Sequence, residues 1–278
     1  MPENIYQAVW IFLVYAFLGW CAEVAFAAVH HGKFVNRGFL NGPVCPIYGV
    51  GMLVVVTLLW GLRHNLILLF LGSAGLTTTL EYATGWILER FFHDKWWDYS
   101  DKPFNVKGYI CLEFTILWGL AAAFVVGAVH PFVFMIINKT PFVFGVILMS
   151  VLLAAFVTDL AITVTELVKL PKKMGAMLEA ERALKAISDK IGENISDTAI
   201  AAKEKGDELA EESKPRLEEL KAEYEQKAAE YKRRFENRGF VPKRIFKAFP
   251  NLKSGRYKVI FERFADFKEK FNDEKDGV

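Results

Sequence analysis

Four carboxylates, Glu23, Glu81, Glu113 and Asp159, fall inside four different long apolar runs of this 278-residue chain. A charged side chain at the bilayer centre costs about 2.5 to 3.5 kcal/mol on insertion scales, so such residues face a bundle interior or a wet cavity. Close to the first of them lies the stretch NRGFLNGPVCPIYGVG, residues 36–51, with one Arg, two Asn, four Gly and two Pro. Arg37 is the fixed cation there and could neutralise Glu23, Glu81 or an anionic ligand. Of the two acids Glu81 is the chosen partner, because Thr77 and Gly85 mark its helix face as polar and open. Chemistry of this kind binds a polar or charged small molecule.

The elements that must carry these groups are membrane spans. A hydrocarbon core about 30 Å thick takes roughly 20 helical residues, and five apolar segments approach or exceed that: 5–29, 44–62, 66–88, 109–129 and 141–168. The first has no basic n-region and no small-residue cleavage site, so it reads as a span and not as a signal peptide. Up to residue 168 the chain has eight Lys/Arg and ten Asp/Glu, whereas the rest carries 26 and 22. This second part is too charged to enter the bilayer. The expectation is an all-α, polytopic helical membrane protein of about five transmembrane helices, with a charged, mostly helical C-terminal tail. Its parts are a transmembrane domain (1–168), a charged helical region (169–231) and a basic, aromatic, membrane-proximal segment with the C-terminus (232–278).

Basic residues of short loops accumulate on the cytoplasmic side. In a five-span arrangement Lys33, Arg37, Arg90, Lys95, Lys102, Lys107, Lys169, Lys172 and Lys173 share one side, against Arg63 and Lys139 on the other. The N-terminus is therefore expected outside, with both long loops and the tail in the cytoplasm of a multi-pass cell-membrane protein. Counted inward from that side, the four acids lie roughly 4 to 10 residues deep, a slab about 6 to 15 Å below the surface at 1.5 Å per residue. A polar cavity open to the cytoplasm accounts for acids gathered in one half of the membrane.

Two loops would line it. In residues 36–51 the glycines permit backbone shapes closed to other residues, and Pro43 and Pro46 keep the second span from starting as a regular helix. Irregular backbone near membrane depth persists only where protein or water satisfies its polar groups. Asn36, Asn41 and Tyr48 are the cavity-lining candidates from this loop. The second loop, residues 89–113, contributes Glu89, Asp98 and Asn105. Its Trp96, Trp97 and Tyr99 read as an interfacial aromatic belt. Asp94, Asp98 and Asp101 have spacings that could help a phosphate hold Mg²⁺, but three acids in a solvated loop are common and no metal is assigned. His93 reads as an interface residue ahead of a catalytic base. On the third span Thr77, Glu81, Gly85 and Glu89 recur at i+4 and share a face; on the fifth, Asp159, Thr163 and Glu166 do so. Cys21, Cys45 and Cys111 show no ligand spacing, so neither zinc nor a disulfide framework is indicated. No cofactor is expected.

Residues 174–231 form a charged helical region with a rhythm of coiled-coil type in Leu184, Ile187 and Ile191 and again in Leu217, Leu220 and Tyr224, interrupted by Gly192, Gly206 and Pro215. It reads as a solvated spacer or a docking arm for a partner protein. Residues 232–263, opened by Lys232 and closed by Arg263, hold eleven Lys/Arg against two acids, with Phe235, Phe240, Ile245, Phe246, Phe249, Tyr257, Ile260 and Phe261 interleaved. Such a segment attracts anionic lipid at about 1 kcal/mol per basic residue near the surface. No nucleic-acid motif accompanies the charge, so nucleic acid is not expected as a partner.

With NRGFLNGPVCPIYG, EYATGWILERFFHDKWWDYSD and FNVKGYICLE in that order, the chain resembles the bacterial family called putative ABC-transporter type IV over about residues 5–168. The tail motif FKAFPNLKSGRY is similar to tails in that family, while Tyr109 stands where the family pattern has Arg. The resemblance implies a permease-like role in transport. The chain has no G-x-x-x-x-G-K-[ST] phosphate loop, so an ATP-driven cycle would need a separate ATPase. No internal repeat of the secondary-transporter kind is visible. Two further classes stay open. One is a membrane-embedded enzyme acting on a lipid-linked or phosphorylated substrate, for which no strong catalytic motif speaks. The other is a membrane scaffold that recruits a partner through its tail.

Overall fold

The computed structural model describes residues 1–32, 34–205, 208–236, 240–254, 258 and 262. Lys33, Gly206, Tyr257, Ile260, Phe261 and Arg263, each used in the sequence reading, lie outside them. Among the described residues the regular structure is helical, with one isolated antiparallel bridge between Val106 and Ile110. Two compact units divide the chain. The first comprises Met1–Val168 with Lys243–Lys258, and the second Lys169–Pro242 with Val259–Val278.

In the first unit, α1 (Ile5–His31) starts at an Asn4 cap whose side chain accepts from the Gln7 amide, and stops at Gly32 in the left-handed region. That glycine can take φ 64° without the strain a Cβ would bring. Next comes α2 (Pro46–Leu59), with its proline in the first turn, where the missing N–H costs nothing. A 3₁₀ turn, Trp60–Leu62, extends it. The next helix, α3 (Leu66–Phe92), is capped by Asn65 and ends at His93 in the left-handed region. After the loop of residues 93–111 come α4 (Leu112–Phe124), a π-helical turn over Val125–Val129 and α5 (His130–Lys139), which together make one span. The wide turn has a local cause: Pro131 cannot donate, and its ring would clash with the carbonyl four residues back in a regular helix. The last apolar run opens α6 (Phe142–Lys205), which continues beyond the first unit.

Among the described residues, four helices are long and apolar enough to cross a membrane, Ile5–Val29, Leu66–Phe92, Leu112–Lys139 and the one within Phe142–Ser196. The remaining expected span, 44–62, is the shorter apolar helix Pro46–Leu62. It has only about the minimum length that bridges a hydrocarbon core. The protein is thus a helical membrane protein. In lipid no hydrophobic force joins one apolar helix to another, so close packing must do it. Val55, Val56 and Leu59 of α2 meet Leu69 of α3, Ala122 of α4 and Val126 in one buried cluster, and Ile11 and Tyr15 of α1 meet Val133 and Ile137 of α5 in a second. At the α1–α2 crossing a Cβ on Gly49 would stand 2.5 Å from the Phe12 carbonyl oxygen, so only glycine allows that approach.

The second unit holds the rest of α6 and α7 (Glu208–Glu236). It buries Leu170, Met174, Met177, Leu184, Ile187, Ala228 and Tyr231. Here the structure corrects the expectation of breaks at Gly192 and Pro215, because α6 runs through the glycine and α7 through the proline. An interior glycine costs only about 1 kcal/mol, and even proline at about 3 kcal/mol is tolerated in a long helix with many remaining bonds. The short α8 (Phe240–Ala248) and α9 (Asn251–Ser254) follow, and from Lys243 on they belong with the first unit.

Gly49→Ala should lower thermal stability in detergent by about 1 to 3 kcal/mol, the usual cost of overpacking. Gly75→Ala, where nothing lies within 4 Å of the new Cβ, should be neutral or stabilising. Equal effects of the two changes would contradict the close α1–α2 crossing.

Candidate functional site

The loop between α1 and α2 has its polar groups satisfied from three directions. Asn36 closes the turn on itself: its Oδ1 accepts from the Gly38 amide at 3.0 Å and from Trp20 Nε1 at 2.9 Å, while its Nδ2 donates to the Asn41 carbonyl at 2.9 Å. From α6, Asp159 accepts from Asn41 Nδ2 at 2.7 Å, the Asn41 amide at 3.2 Å and the Gly42 amide at 2.7 Å, and buried Thr163 accepts from Asn41 Nδ2 at 3.1 Å. The third partner is Arg244 of α8. Its Nη1 and Nη2 donate to the Gly38 and Phe39 carbonyls at 2.6 Å each, and its Nε to Asn41 Oδ1 at 3.1 Å. Burial draws the guanidinium down to about 10, against the opposing pull of Asp159. It remains charged at neutral pH.

Beside this loop lies a second group built on Glu23 and Glu81. Arg37 approaches Glu23 through Nε–Oε2 at 3.5 Å, without a well-aligned hydrogen bond, and its guanidinium lies 5.6 Å from the Phe26 ring centre. This corrects the choice of Glu81 as its partner. Glu23 Oε1 accepts from the Tyr48 hydroxyl at 2.6 Å. The Tyr48 ring lies over Gly19, one helical turn before Glu23, in the space a Cβ would take. Glu81 is 9% exposed and accepts from the Tyr99 hydroxyl at 3.2 Å through Oε1, while its buried Oε2 has no hydrogen bond, although the Trp118 indole is beside it. The two carboxylates are close enough to feel each other's charge. Tyr48, Trp118, Phe114 and Tyr99 form a chain of rings alongside them, with successive centroids 5.6, 6.5 and 4.7 Å apart.

The loop of residues 93–111 folds on itself. Asp98 Oδ1 accepts from the Ser100 amide and hydroxyl and lies 3.5 Å from Lys95 Nζ. Burial works against the charged Asp98, yet the Ser100 and Lys95 interactions outweigh it and hold its pKa below the usual carboxylate range. Asn105 donates to the Ser100 and Lys102 carbonyls and accepts from the Gly108 amide. Glu89 accepts from the Tyr109 hydroxyl at 2.8 Å. Trp97 Nε1 donates to the Tyr109 carbonyl at 2.9 Å, and Trp96, 4% exposed, packs against Phe39, Phe92 and Phe249. The expected aromatic belt is therefore turned into the protein: the Tyr109 carbonyl takes the Trp97 N–H and Glu81 the Tyr99 hydroxyl, while Trp96 is held by ring packing and not by a hydrogen bond. Burial first, then the Glu81 charge, pushes the Tyr99 phenol above its ordinary range.

The sequence candidates thus sort into separate sets. Asn36, Asn41 and Asp159 make the loop knot; Glu23, Arg37, Tyr48 and Glu81 gather around the aromatic chain; Glu89, Asp98 and Asn105 fix the second loop. Glu113 joins none of these, since its side chain is 60% exposed and pairs with Lys102 at 3.0 Å. Arg244 and Trp118 were not recognised from sequence. Arg244 sat in a segment whose charge reads as lipid-binding, and the only local hint was its place on the same helix as the apolar residues Ile245, Phe246 and Ala248 that the fold buries.

Such an arrangement, charged groups from several spans meeting beside irregular backbone, defines a polytopic membrane protein with a polar site at one end of its helices. The family model described as "Putative ABC-transporter type IV" matches residues 10–164, and the chain belongs to that family. Neither the comparison with curated proteins nor that with solved structures gave a match.

Asp159→Asn turns one carboxylate oxygen into a donor facing N–H groups and should destabilise the protein by about 1.5 to 3 kcal/mol, whereas Glu113→Gln at the exposed pair should change little. Thermal melts of both variants check this. In double-mutant cycles, Arg37→Ala with Glu23→Gln should couple by about 0.5 to 3 kcal/mol, and Arg37→Ala with Glu81→Gln should be additive to within about 0.5 kcal/mol. The reverse ranking would restore Glu81 as the partner.

Proposed function

We propose that the protein is a permease-like component whose polar site is the Glu23–Glu81 group, opening to the cytoplasmic side. The observation that carries this is Glu81: a carboxylate inside a span, nine-tenths buried, with one oxygen that makes no hydrogen bond. Leaving a buried acceptor unmet costs about 1 to 3 kcal/mol, and sites that bind polar solutes are where such a cost is recovered. Membership of the ABC-transporter type IV family supports the same reading. Because the sequence has no phosphate loop, the energy of an ATP-driven cycle would come from a separate ATPase subunit.

The orientation rests on the short-loop Lys/Arg distribution, with the tail in the cytoplasm. Anionic lipid remains the proposed partner of residues 232–263. Ile245 and Phe246 are buried and do not serve as anchors, while Lys243 and Lys247, one helical turn apart, are exposed and available for the attraction.

The protein should be purified gently beside its Glu81→Gln variant and the small molecules retained by each compared by mass spectrometry. A polar compound kept by the wild type and lost from the variant, both equally folded, is the expected result. Single-Cys labelling on a Cys-free background should reach position 100 only from the cytoplasm and position 139 only from outside. Identical retention by the two proteins, or the opposite labelling, would overturn the proposal.

A further inference from the structure

Arg244 occupies a receptor that the rest of the chain builds without it. The turn of residues 36–42 is held by Trp20 and Asn36 from one side and by Asp159 and Thr163 from the other. None of those bonds involves Arg244. What they leave over is a set of oxygens aimed at one place: the Gly38 and Phe39 carbonyls and Asn41 Oδ1, with the Asn36 carbonyl at 3.5 Å from Nη1. We propose that this turn is a guanidinium-binding site, and that the helix bearing Arg244 is a latch that fills it from within the same chain.

Three features specify a guanidinium. The acceptors match the planar fork, because successive carbonyls each take one Nη while Asn41 Oδ1 takes Nε. An ammonium is a compact point charge with three donors on one atom and cannot span that set. The acceptors are also neutral: both Asp159 oxygens are engaged by Asn41 and Gly42, so the carboxylate attracts the cation only through space. Recognition then depends on shape and hydrogen bonding more than on a direct ion pair, as expected for a contact that can be made and broken. Finally, the packing around the latch is local. Ala248 joins Ala27 and Val35 in a small buried cluster with Phe249 beside it, and the Phe249 ring stands 4.9 Å from Trp96. The helix therefore bridges both loops of the polar end.

The latch has a route to the polar site. Arg37, the partner of Glu23, lies in the turn between Asn36 and Gly38, whose carbonyls face Arg244. Release of Arg244 would remove three hydrogen bonds from the segment that carries Arg37 and loosen it. The guanidinium site itself stands on the hydrogen-bond geometry and does not depend on the transport reading.

The test is hydrogen exchange of the full chain in detergent, read over residues 36–42, for the wild type, Arg244→Ala and Arg244→Lys. Arg244→Ala should speed exchange there by about tenfold or more, the factor carried by one charge-assisted hydrogen bond, and leave α3 and α4 unchanged. Millimolar methylguanidinium should restore protection, and methylammonium at the same concentration should not. Unchanged exchange in the Ala variant, restoration by both cations alike, or restoration by neither would overturn the site. If the Ala variant exchanges everywhere, Arg244→Lys decides, since it keeps the charge and the stem. Faster exchange confined to 36–42 and 240–254, reversed by methylguanidinium, supports the proposal; wild-type exchange overturns it.

Discussion

Backbone that leaves the helical ladder beside an apolar span has to find other partners for its N–H and C=O groups, and the fold of the first unit turns on how residues 36–45 do so. Pro43 and Pro46 forbid a helix, and the amides of Asn41 and Gly42 are left to a side chain. Asp159 supplies it. One carboxylate from the first third of α6 thus fixes the α1–α2 connection, and that connection then fixes where Arg37 and Tyr48 begin. Elsewhere on the first unit α6 also makes ring contacts, such as Phe12 against Phe156 at 5.4 Å and Tyr6 against Phe142 at 5.3 Å. They help to hold the helix but cannot set the shape of the loop.

The spans were legible because a run of about 20 apolar residues has few other uses. The order of the acids along their helices was legible too, since residue number along a helix converts directly into distance. Their direction was not. Glu81 and Glu113 were assigned to one slab, yet the first is buried under Tyr99 while the second pairs with Lys102 at the exposed start of α4. Rotation of a helix about its axis is set by its neighbours, and in apolar spans the hydrophobic pattern that would reveal it is nearly uniform around the helix. The same limit misplaced the partner of Arg37, where Glu23 and Glu81 were equivalent by depth and only packing distinguishes them.

Composition misled for a related reason. Trp96, Trp97 and Tyr99 have the residue types of an interfacial belt, and their destination depended on what the fold offered them: acceptors for Trp97 and Tyr99 in the Tyr109 carbonyl and Glu81, and neighbouring rings for Trp96. Arg244 was hidden more deeply. Its acceptor Asn41 is 203 residues away in the chain, and a basic helix with buried Ile245 and Phe246 has the same composition whether its apolar face meets lipid or protein.

Two carboxylates of this protein, half-buried Asp159 and buried Glu81, show how hydrogen-bond saturation separates a structural acid from a candidate functional one. Asp159 accepts from two amides and a carboxamide, leaving neither oxygen idle, and its charge is spent on shaping a loop. Glu81 is as deeply buried as many core residues, yet it has a single hydrogen bond, from a phenol, and an oxygen beside Trp118 with none. A core acid this incomplete would be expected to give way to an apolar residue, because replacing an unmet polar group in a buried site is often neutral or stabilising. Purely structural reasoning therefore accounts for Asp159 and leaves Glu81 over. The difference favours the Glu81 side of the fold, and not the Asp159 knot, as the place where something other than this chain supplies the missing bond.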